Sequence, residues 1–242
     1  MSIENIRGLS WDNPLRIRTP EELISWINEI GFLPLFENDI PGFSAEEHTW
    51  YGGWWCDDPK QDPWLWRQEI AKSHRAVYGK CFNKKTGFLS LDWLPVFANY
   101  RRDGYDFDSL YEDGLASRRK KKIMDLFMGD EESEYVEPLA TFEAKQRAGF
   151  GKNGEKNFDG VLTDLEMKLY LVGCDFRQKT NKKGQSYGWF VQALNTPESI
   201  WGYRTVTSCY SEEPETSGDK IFARVKEMFP NADDKAIRKV CG

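Results

Sequence analysis

Apolar residues recur at helical spacing near the start of the chain and again in its second half. Thr19 as N-cap, Pro20 at the first helical position and Glu22 form a capping box; Leu23, Ile27 and Ile30 make the stripe, and Gly31 is the stop. A second helix is expected from Asp62-Pro63 through WLWRQEIAK. AVYGKCF and FLSL then read as strands, joined by a hairpin turn at Asn83-Lys84-Lys85-Thr86-Gly87. A similar order follows past residue 140. TFEAKQRA is helix-like, and Thr163 with Glu166 signals a helix whose stripe is Leu162, Leu165, Leu169 and Val172. CDFRQKT and SYGWFVQAL flank a tight turn at Asn181-Lys182-Lys183-Gly184. Thr196, Ser217 and Asn231 are the expected N-caps of later helices, the middle one carrying Ile221, Phe222, Val225, Met228 and Phe229.

Helix, loop, helix and hairpin is the order of a winged helix-turn-helix. The expected fold is therefore α+β, made of two winged-helix-like units: a Trp-rich one over 1–130 and a better-defined one over 138–242. GDEESEYVEP at 129–138 is the expected acidic linker between them. Residues 38–63, rich in Gly, Pro, Asp and Trp, read as an irregular loop pinned by aromatic rings, and YRRDGYDFD at 100–108 as a turn. The turns NKKTG and NKKGQ resemble each other, but hairpin turns commonly share that composition.

Charge qualifies this picture. The chain has 242 residues and a net charge of −6, which argues against indiscriminate nucleic-acid binding. The imbalance is local: residues 1–137 hold 17 basic and 25 acidic side chains, and residues 138–242 hold 16 and 14. Five dispersed cysteines without a C-x-x-C pair fit neither a disulfide framework nor a zinc ribbon and point to a reducing, cytoplasmic setting. The start, MSIENIRGLSWDNP, lacks the pattern of a secretory leader, and no membrane association is expected.

Candidate chemistry is sparse. GFGKNG at 149–154 matches G-x-G-x-x-G, but a helix-like segment precedes it where a dinucleotide site needs a strand, so no cofactor is expected. In a winged helix the same loop joins the second and third helices and brings Lys152 and Lys156 near phosphates. Lys168, Arg177, Lys179, Lys182 and Lys183 are the other expected backbone contacts, against the alternative of a mixed-charge soluble surface. Seven tryptophans lie between Trp26 and Trp93. Trp54, Trp55, Trp64 and Trp66, with Tyr100 and Arg101, are the candidate aromatic pocket for a planar ligand or extruded base; the alternative is core packing. The only histidines, His48 and His74, have no regular metal-ligand spacing, and Asp103, Asp106 and Asp108 read as solvated turn acids. No residue is assigned a catalytic role.

The runs TPEELISWINEIGFLPLF, DPWLWRQEIA, FANYRRDGYDFD, KKIMDLF, AGFGKNGEKNFDG and DFRQKTNKKGQSYGW resemble the AlkZ-related proteins over roughly residues 15–240. That group is akin to the AlkZ/YcaQ DNA glycosylases, tandem winged-helix proteins whose catalytic motif is a Gln-apolar-Gln or Gln-apolar-Asp triplet after a helix-ending glycine. The corresponding stretch is Gly31-Phe32-Leu33-Pro34-Leu35-Phe36, where proline and phenylalanine replace the polar pair. The resemblance thus implies a duplex-DNA-binding protein without the catalytic motif. The alternatives are a glycosylase using Glu37 or Asp39 instead, and a protein-interaction module.

Overall fold

A computed structural model describes residues 7–129, 136–181 and 183–242. The protein is an α+β structure in which helices pack on one six-stranded sheet of order β1-β3-β2-β5-β6-β4.

The first half begins with α1 (Pro20–Ile30), whose Thr19 hydroxyl accepts from the Glu22 amide at 3.1 Å and whose Gly31 closes it at φ 96°. β1 (Phe32–Pro34) follows directly. The loop after it is held by single 3₁₀ turns at Glu46–His48 and Tyr51–Gly53 and by the buried indole of Trp54, which donates to the Thr49 hydroxyl at 3.0 Å. α2 (Pro63–Ser73) starts as expected, with Asp62 capping the Trp64 amide. β2 (Val77–Phe82) and β3 (Lys85–Leu89) form the hairpin, and β1 pairs with β3. Its turn is shorter than the sequence implied: Asn83 and Lys84 both have positive φ, as a two-residue turn requires, so Lys85–Gly87 already belong to the strand.

YRRDGYDFD is mostly not a turn. Tyr100, Arg101 and Arg102 form the last turn of α3 (Leu94–Arg102), and α4 (Phe107–Glu112) resumes three residues after Gly104. α5 (Arg118–Met124) then carries five consecutive basic residues.

In the second half, β4 (Leu139–Ala140) leads into α6 (Thr141–Arg147), the glycine loop, α7 (Phe158–Met167) and the hairpin β5 (Val172–Thr180) and β6 (Ser186–Asn195). β4 pairs with the outer edge of β6. α7 begins five residues earlier than its expected cap at Thr163, behind Asn157 in the left-handed region; Leu169 (φ 58°) turns the chain out of it, and Val172 is the first strand residue rather than the end of a helical stripe. α8 (Pro197–Trp201) starts at Thr196 as expected, and α9 (Tyr203–Val206) follows. α10 (Pro214–Met228) starts before Ser217, which lies buried inside it as the acceptor for Asn99 Nδ2, and α11 (Asp234–Cys241) is capped by Asp233 instead of Asn231. In both cases a better cap or an N1 proline stands nearby.

β2 and β5 meet antiparallel at Tyr78 and Gly173, joining strands from the two halves. One apolar cluster includes Phe32, Phe82, Phe88, Phe97 and Val172; a second gathers Phe107, Ile123, Phe127, Phe158, Leu162 and Leu194. Of the expected linker, residues 130–135 lie outside the described residues, and Val136 is tied back by its carbonyl to Asn195 Nδ2.

A Cβ at Gly173 would stand 2.8 Å from the Tyr78 ring and 3.3 Å from Gln192. Gly173→Ala is expected to cost about 1–3 kcal/mol through overpacking at this junction, read as a lower urea midpoint with unchanged m-value. An unaltered midpoint contradicts the close approach as a constraint.

Candidate functional site

The far half of the β5–β6 hairpin runs beyond the core: every described residue from Lys179 to Phe190 is exposed. Asn181 organises the tip, its side-chain oxygen accepting from the Lys183 and Gln185 amides at 2.9 and 3.1 Å, and Gly184 takes φ 76°. Three large rings stand in solvent here: Trp189 at 86% exposure, Tyr187 at 53% and Phe190 at 46%. Apolar rings held this far out mark a contact surface more often than a stable solvent face.

Beside the hairpin lies a cleft of about 620 Å³, lined by Phe142, Lys145 and Gln146 of α6, the glycine loop, and Lys179, Thr180 and Tyr187. The loop is self-closed. Gly154 has its α-carbon against the Gly149 carbonyl, where a Cβ would come within 2.1 Å, and Phe150 bridges to Glu155. These glycines therefore serve loop closure, and the first helix after the loop begins only at Phe158, four residues past Gly154.

The seven basic candidates divide sharply. Lys152, Lys179 and Lys183 are exposed, with no carboxylate partner among the described residues; Lys179 lies over the Phe142 ring at 5.6 Å. Lys156 is turned back onto the Gly151 and Lys152 carbonyls at 2.8 and 2.6 Å. Arg177 faces Asp175 at 3.4 Å and Glu143 at 3.9 Å. Lys168 is half-buried, and burial together with Lys120 pulls its ammonium below the usual lysine range. Lys182 lies outside the described residues.

The solvent side of α7 carries acidic rather than basic residues. Its exposed positions include Asp159 and Asp164, and the side towards β2 is closed by a buried polar cluster. There Glu166, fully buried, accepts from Gln192 Nε2 at 2.6 Å and pairs with Lys80 Nζ at 3.2 Å, while Lys80 also donates to Thr163 Oγ1 at 2.9 Å.

Two groups of basic residues went unnoticed in the sequence. Lys145 lines the cleft, and Arg118 and Arg119 at the start of α5 are exposed beside it, Arg119 donating to the Lys156 carbonyl at 3.3 Å and Lys122 pairing with Glu155 at 2.7 Å. The run RRKKK after the helix-capping Ser117 was the available signal.

Of the six aromatic-pocket candidates, Trp54, Trp55 and Trp64 cluster, with the Trp54 and Trp55 centroids 5.9 Å apart. Trp54 and Trp66 are buried, the latter donating to the Pro59 carbonyl at 3.0 Å. Trp55 and Trp64 are half-buried neighbours with centroids 6.2 Å apart, and the Arg67 guanidinium covers Trp64 at 3.6 Å. Tyr100 packs over Gly218, and Arg101 donates to the carbonyls of Met167, Cys81 and Cys241.

Around Gly31–Phe36, Leu33, Pro34 and Leu35 are buried, the adjoining cavity is only about 50 Å³, Glu37 pairs with Arg7 at 3.4 Å and Asp39 with Lys239. Burial pushes the thiols of Cys81, Cys174 and Cys241 up to about 12, so none is a ready nucleophile. Among the described residues, no group of three His, Cys, Asp or Glu side chains is placed to hold a metal, and no helix is long and apolar enough to cross a membrane.

A model of the AlkZ-related family matches residues 17–242. No curated protein and no solved structure matches the chain.

Burial raises the Glu166 carboxyl above the usual range despite Lys80. The folded state therefore takes up this proton more readily than the unfolded one, and the site gains stability as pH falls from the raised value towards about 4.3. The stability of the wild type relative to Glu166→Gln should rise over that descent in urea titrations; parallel curves would refute the assignment.

Proposed function

The chain belongs to the AlkZ-related family, and on that premise we propose that it is a duplex-DNA-binding protein that grips the phosphate backbone with the β5–β6 hairpin and the cleft beside it, without excising bases. The observation that carries this reading is the projecting hairpin itself: between Phe176 and Gln192 the sequence holds four basic residues and no acidic one, in a protein of net charge −6. Lys145, Lys152, Lys179 and Lys183 supply solvated cations on both sides of the cleft, with Arg118 and Arg119 extending them, and exposed Trp189 and Tyr187 supply rings that a groove or an unstacked base can cover.

The topology supports two winged-helix-like units. In the second, β4, α6, α7 and the β5–β6 hairpin follow in winged-helix order, with β4 pairing to β6, and α5, from the span expected for the first unit, supplies the preceding helix. In the first, β1 pairs to β3 of the β2–β3 hairpin in the same way. The sheet order then reads as two three-stranded ribbons meeting through β2 and β5. In this arrangement the usual recognition helix is occupied in packing against β2, and the wing carries the contact.

Binding without base excision is supported by the absence of a carboxamide or carboxylate in Leu33–Phe36 and by the closed surroundings of that stretch. An acid or amide must reach the sugar or a water to assist glycosidic cleavage.

Fluorescence anisotropy with a labelled duplex tests the proposal. Affinity should weaken steeply with salt, and Lys179→Gln and Lys183→Gln should each reduce the slope of log K against log salt by about 1. An alkylated duplex should be bound without gaining abasic sites. Salt-insensitive or absent binding at micromolar protein would end the reading, and abasic-site formation would restore the glycosylase alternative.

A further inference from the structure

Away from the hairpin, a cavity of about 480 Å³ opens between the start of α4, the end of α5 and the α8–α9 corner. Its floor is apolar, built from the buried side chains of Phe107, Met124, Phe127 and Tyr170. This size and lining suit a small organic molecule.

The polar wall has an imbalance. Glu198 is matched by Arg102 at 2.5 Å, and Asp108 by Lys121 at 3.6 Å. Arg102 is saturated, since it also donates to the carbonyls of Lys168 and Leu169 and to the Tyr210 hydroxyl. Asp106 has no cationic partner among the described residues. It holds the N-cap position of α4 but caps no amide; its Oδ2 accepts from the Tyr203 hydroxyl at 2.7 Å instead. On the same wall the Ser199 hydroxyl is buried without a hydrogen-bond partner.

We propose that this cavity binds a small organic monoamine, its aromatic or aliphatic body on the Phe107–Phe127 floor and its ammonium on Asp106. An ammonium supplies three donors and the missing positive charge together. A carboxylate ligand meets three acidic side chains, and a diamine finds its second charge already matched by Arg102 and Lys121.

Carbon-13 methyl labelling of methionine provides the readout, because Met124 and Met128 line the cavity and Met228 does not. Phenethylamine, phenethyl alcohol and hydrocinnamate are the probes. Phenethylamine at millimolar concentration should shift the Met124 and Met128 signals and leave Met228 in place, with the alcohol at least about tenfold weaker and hydrocinnamate weaker still. Asp106→Asn should lower amine affinity to that of the alcohol, whereas Tyr203→Phe, which keeps the charge, should retain the amine preference. No amine-induced shift, equal affinity for amine and alcohol, or an amine preference that survives Asp106→Asn would each overturn the proposal. Unaltered Met228 chemical shifts in the variants confirm that they are folded.

Discussion

The meeting of two strands at the middle of the sheet organises this molecule. β2 and β5 meet at Tyr78 and Gly173, and only the missing side chain of Gly173 lets the Tyr78 ring lie there. Behind that point Arg67, 3% exposed, is stacked between Trp64 at 3.6 Å and Phe176 at 4.4 Å, tying α2 to β5. Burial lowers its guanidinium, yet two flanking rings recover part of the desolvation cost through cation–π attraction. The strands of both halves become one surface because this joint leaves room for nothing larger.

Charge burial near the joint then decides which elements stay available. Glu166 and Lys80 anchor α7 to β2, Gln192 links the same carboxylate to β6, and Arg102 clamps the chain that leaves α7 through the carbonyls of Lys168 and Leu169. Losing one partner of such a buried pair is far more damaging than never having had the pair, so α7 is held in place rather than offered to a ligand. Among its described residues the hairpin tip has no comparable anchor. It keeps exposed cations and rings together on a two-stranded ribbon, and the polyanion reading follows from that division.

Much of the local architecture was legible from residue order. The α1, α2 and α8 caps and the two hairpins carry Thr, Asp, Pro or Asn-Lys-Gly signals whose mechanism acts within a few residues, whereas α10 and α11 were legible as helices but not at their expected caps Ser217 and Asn231. The α7 boundary was misread because a Thr-x-x-Glu spacing looks the same whether the threonine caps an amide or hydrogen-bonds a lysine 83 positions away. Arg101 and Arg102 were misread for a related reason: a guanidinium beside Asp-Gly suggests a surface turn, and only tertiary structure reveals carbonyls arranged to receive it. Of the site, the lysines at the hairpin tip were legible from charge, whereas the exposure of Trp189 was hidden because alternation alone does not tell where a strand outruns its core.

Hydrogen–deuterium exchange with and without a short duplex addresses the central claim most directly, since it locates the contact without altering a residue. Slower exchange across 145–156 and 176–190, with no change across 32–36, is the result the account predicts. Protection centred on 32–36 or on the exposed face of α7, with the hairpin unaffected, would contradict it.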